Sequence, residues 1–74
     1  MQTEPSVAVL DVVALLEDVP AHGLVRGQVG TVVERLSDDV LEVEFSDDEG
    51  RTYAEVALTQ ELLLVLHHRP VKAA

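Results

Sequence analysis

Apolar and polar residues alternate most cleanly in the middle of the chain. Val40-Leu41-Glu42-Val43-Glu44-Phe45 puts Leu41, Val43 and Phe45 on one side of an extended backbone and Glu42 and Glu44 on the other. That period of two is the signature of a half-buried strand. Before it, Val29 to Leu36 predicts a strand ending in the polar turn Ser37-Asp38-Asp39. After it, Arg51 to Leu58 predicts another, with Thr52, Ala54, Val56 and Leu58 on one face and Arg51, Tyr53, Glu55 and Ala57 on the other. Upstream, Asp11 to Glu17 is a continuous apolar run that suits a short helix or a buried strand. Its valines and the stop at Asp18-Val19-Pro20 select the strand. A last strand over Leu62 to Leu66 follows a single helical turn at Thr59-Gln60-Glu61, with Thr59 as its cap.

The connections carry the turn chemistry that such strands need. Pro20, Gly23 and Gly27 punctuate a loop from Asp18 to Gln28, and Leu24 within it tucks under the sheet. Ser46-Asp47-Asp48-Glu49-Gly50 is a hairpin loop in which Gly50 supplies positive φ. Gly23, Gly27 and Gly30 lead into a valine-rich strand, whereas a phosphate-cradling loop opens a helix, so they read as turn and packing glycines. The fold class expected is all-β, a small five-stranded SH3-like barrel with one short helical turn before the last strand. Residues 1–8 form a loose N-terminal segment, 9–66 the single domain and 67–74 a flexible tail. The expected core is Val13, Leu15, Val32, Leu41, Val43, Phe45, Ala54, Val56 and Leu64.

Composition narrows the class further. Seventy-four residues make one domain with one modest core, and that core is aliphatic, because the only aromatics are Phe45 and Tyr53. The chain has no cysteine, which excludes a disulfide framework, a thiolate nucleophile and a zinc ribbon, and fits a reducing cytoplasm. The N-terminus lacks the basic flank and apolar run of a signal peptide, and no apolar run approaches the roughly 20 residues of a spanning helix. A cytoplasmic protein without membrane contact is expected.

Charge changes the picture most. Fourteen acids against five bases give a formal charge of −9, and Asp38, Asp39, Glu42, Glu44, Asp47, Asp48 and Glu49 place half of the acids between residues 37 and 50 with no base among them. Nucleic acid and anionic membranes need a positive surface and are disfavoured as partners. The acidic stretch suits either a solvated, solubilising face or a docking surface for a basic protein, for which Glu42, Glu44, Asp47, Asp48, Glu49 and Tyr53 are the candidate contact residues. Catalytic chemistry finds no support. Thr31, Ser37 and Thr59 have no base at a useful spacing, and paired carboxylates on an exposed hairpin lack the burial that splits their pKa values. The alternate-position ligands and fixed glycine of a calcium loop are missing, and His22, His67 and His68 do not form a ligand set. No metal and no cofactor is expected.

One resemblance gathers these pieces. Asp11-Val12-Val13-Ala14-Leu15, Asp18-Val19-Pro20 with Gly23-Leu24, Gly27 to Val33, Leu41-Glu42-Val43-Glu44-Phe45 and Gly50-Arg51-Thr52 together resemble DUF4926, an uncharacterised family of short bacterial proteins, over roughly residues 9 to 66. Leu41 departs from the pattern, which has Tyr there. The resemblance implies an SH3-like barrel, brings no catalytic residues, and points to small accessory proteins with an antitoxin or immunity role. A weaker likeness of Gly27 to Val33 to the barrel motif of ribosomal and elongation proteins implies RNA contact, which the charge opposes. Three readings follow: a non-enzymatic interaction module for a basic partner, an RNA- or ribosome-associated barrel, and a homo-oligomerising unit. The last rests on Leu62 to Leu66, whose consecutive apolar residues cannot all face one core, leaving some of Leu63, Val65 and Val40 to meet a second copy as a homodimer.

Overall fold

The computed structural model describes residues 7–67 and Pro70, so the expectations for Met1 to Ser6 and for 68, 69 and 71–74 lie outside the described residues. Five strands form one antiparallel sheet: β1 (Val12–Leu15), β2 (Val29–Arg35), β3 (Val40–Ser46), β4 (Thr52–Thr59) and β5 (Leu63–Val65), in the order β4-β3-β2-β1-β5. The first four strands form a meander, and a 3-10 turn at Gln60–Leu62 carries the chain to the far side of β1. This is the strand order of a small SH3-like barrel. A second 3-10 turn, Pro20–His22, lies in the long first loop, and Gly23 closes it with φ of 69°.

Thr59 does not cap the turn that follows it with its side chain. The need is met elsewhere, because the Gln60 backbone N–H donates to the Asp39 carbonyl at 2.7 Å, tying this turn to the β2–β3 connection.

The alternation of β3 reaches the core as expected, with Leu41, Val43 and Phe45 fully buried. Val13, Leu15, Val32 and Val56 join them, as do Leu24 from the first loop and Leu58 from β4. Two expected core residues differ. Leu64 is 50% exposed while its neighbour Leu63 is buried, because Leu63 pairs with inward-facing Leu15 and Leu64 with Ala14. Ala54 packs only partly buried against the core.

Two bulges re-aim side chains. Val32 pairs with Val43 and Glu34 with Glu42, so Val33 is an extra residue in β2. Simple alternation from inward Val32 would send Glu34 into the core; the bulge turns it out. At the start of β4, Phe45 pairs with Ala54 but Ser46 with Thr52, which makes Tyr53 the extra residue and puts Thr52 outward with Ser46, against its expected inward face.

The N-terminal approach to the barrel is fixed in place. Val7, just ahead of the expected domain start, is 4% exposed in the same core. Its carbonyl accepts from the Arg35 guanidinium, which also donates to the Ser37 and Asp38 carbonyls at 3.2 and 2.8 Å. Leu10, 75% exposed, has φ of 78°, a left-handed backbone that costs an L-residue roughly 1–2 kcal/mol.

Candidate functional site

The outward face of β2, β3 and β4 carries a ladder of carboxylates. Alternation from buried Leu41, Val43 and Phe45 turns Glu42 and Glu44 outward, and the register sets Glu34 opposite Glu42 and Glu55 opposite Glu44. Directly opposed like charges weaken a sheet. The strain registers on Glu42, whose carboxyl is pushed above the usual carboxylate range. The main cause is a hydrogen bond with Glu55 that favours the protonated form, followed by desolvation between the strands and by the charges of Glu55 and Glu34. No basic side chain forms an ion pair with any of the four among the described residues.

The hairpin acids are differently disposed. Asp47 Oδ1 accepts the backbone N–H groups of Glu49 and Arg51 at 2.9 and 3.0 Å, an Asx-type turn that closes on Gly50 with φ of 84°. Arg51 folds back onto Asp47 at 3.3 Å and Glu49 at 2.6 Å, leaving Asp48 as the loop acid outside these ion pairs. Of the loop's three carboxylates, then, two serve the loop itself. Tyr53, at the β4 bulge, is 49% exposed; its ring lies 6.4 Å from that of Phe45 and its hydroxyl accepts from Gln28 Nε2 at 3.1 Å. It joins β4 to the end of the long first loop.

The six residues expected at a docking surface therefore fall into three groups. Glu42 and Glu44 stand on the sheet face, Asp47, Asp48 and Glu49 in the hairpin loop, and Tyr53 at the bulge between them. Glu34 and Glu55, not among the six, complete the ladder. Glu55 was legible in the alternation of its strand, whereas Glu34 depends on the Val33 bulge. A family model described as Domain of unknown function (DUF4926) matches residues 9–65. The chain belongs to the DUF4926 family. No curated protein and no solved structure matches it.

The DUF4926 match spans all five strands and so contains the whole acidic ladder, while core residue Val7 lies just before it. Among the described residues of this DUF4926 domain, no three His, Cys, Asp or Glu side chains converge as metal ligands would, and no helix is long and apolar enough to cross a membrane. The homodimer expectation needs one correction: Leu63 belongs to the core, and the residue of β5 that faces outward is Leu64. With half-buried Leu66 it lines an open groove beside β5, together with Leu16, which is 43% exposed.

Proposed function

We propose that this DUF4926 domain is a non-enzymatic protein-interaction module whose acidic sheet face binds a basic partner, in an accessory or antitoxin-like role. One observation carries the reading: four outward carboxylates, Glu34, Glu42, Glu44 and Glu55, stand in cross-strand register without a basic partner among the described residues. A sheet tolerates such opposition at a cost to its own stability, and a cationic surface laid over the ladder turns that cost into attraction. The formal charge of −9 adds long-range steering toward a positive partner and works against RNA.

The test is a comparison of two baits in a lysate of the source cell, the wild-type domain and a variant with Glu34, Glu42, Glu44 and Glu55 all changed to Gln. The expected result is one basic protein held near stoichiometrically by the wild type at low salt, released at high salt and not held by the variant. Equal retention by both baits, or retention of RNA, overturns the reading.

A further inference from the structure

The strand β4 ends the sheet. It is eight residues long and hydrogen-bonded in register to β3 alone, and among the described residues no backbone hydrogen bond reaches its other edge. Folded proteins usually blunt such an edge with proline, lysine, shortness or a covering segment. From Thr52 to Thr59 there is no proline and no basic residue, the bulge sits at the strand's start, and the one charged side chain is Glu55.

From this we infer that the free edge of β4 takes up an extended segment of a partner as a sixth strand, and that the segment alternates basic with small or apolar residues. The inference rests on the acidic-face reading above and specifies how that face is used. A strand added beside β4 places one residue directly opposite Glu55, with Cβ atoms about 5 Å apart and on the outward face, so a Lys or Arg there continues the carboxylate ladder with the opposite sign. On the other face its neighbours are Val56 and Leu58, each 5% exposed at the rim of the core, where a small or apolar residue fits. Charge also works against the simplest rival, pairing with a second copy of this chain. The β4 edge of a second copy brings its own Glu55 and ladder alongside and is repelled, and β5 offers Leu63–Val65 with no base for Glu55, so neither edge matches the acid as a basic strand does.

The test uses the isotope-labelled full chain and three synthetic peptides: an alternating Lys-Val nonapeptide, the same peptide with every backbone nitrogen methylated, and a helical peptide of equal charge. Amide shifts and hydrogen exchange are read along β4. The expected result is that the first peptide binds and slows exchange between Ala54 and Thr59, and that Glu55→Gln weakens it several-fold. The other two peptides are expected to bind at least ten-fold more weakly. Equal binding of the methylated or helical peptide overturns strand addition while leaving the acidic-face reading in place. Absence of binding by all three overturns both. Slow exchange along β4 that rises with protein concentration in the absence of peptide overturns the inference in favour of self-pairing.

Discussion

Gly30 shows how much a single residue decides here. It sits in β2 opposite Phe45 on one side and Val13 on the other, and a Cβ added to it would lie 2.8 Å from the Glu44 carbonyl oxygen and 2.9 Å from the Phe45 ring. One of those neighbours is backbone and cannot swing aside. Gly30→Ala is therefore expected to destabilise the domain by about 1–3 kcal/mol, the range for overpacking a tight core, as a shift in the denaturation midpoint would show. The sequence distinguishes Gly30 from Gly23 and Gly27 only by context. The latter two lie in a loop and have φ of 69° and 91°, with open space around them, whereas Gly30 lies within β2 and is needed for close approach. That a packing role was legible at all follows from the valines on either side of it, Val29 before and Val32 and Val33 after.

At the scale of elements, legibility follows alternation. In β3, where polar and apolar residues alternate without a break, both faces are readable from the sequence, and the acids Glu42 and Glu44 fall where expected. In Leu62 to Leu66 no polar residue marks the phase, so the burial of Leu63 rather than Leu64 is decided by pairing with β1, a contact nearly fifty residues distant in the chain that no local pattern encodes. The bulge at Val33 is likewise silent, and with it the place of Glu34 in the ladder. The ladder has a consequence for pH. Because the folded state raises the Glu42 pKa, folding takes up a proton between the ordinary carboxylate range and the raised value. Stability from this group is present at low pH and is lost as pH rises through the folded value. The thermal midpoint is expected to gain from Glu42 as acidification takes that carboxyl through its raised titration, and to gain less in Glu42→Gln. An equal rise in that variant assigns the effect to other groups.

The molecule as a whole carries a formal charge of −9 and has principal extents of about 37 × 26 × 20 Å over its described residues. At about 0.01 M salt the screening length of about 30 Å is comparable to the whole domain, and at 1 M it falls to about 3 Å, so only adjacent groups still interact. Added sodium chloride is expected to raise the thermal midpoint by several degrees, since about 1 kcal/mol of relieved repulsion corresponds to about 4–8 °C for a domain of this size. A midpoint that falls with salt assigns the domain net favourable charge pairing instead. The overall architecture was readable because it needs only strand count and turn positions; the pairing of the first strand with the last was not. That pair also orders events in time. Residues Val12–Leu15 have a neighbour on each side, but the second of them, Leu63–Val65, leaves a ribosome last, roughly 2–10 s later at ordinary elongation rates. During synthesis the first strand therefore waits with one edge bare, and the five-stranded sheet is complete only when almost the entire described chain has emerged.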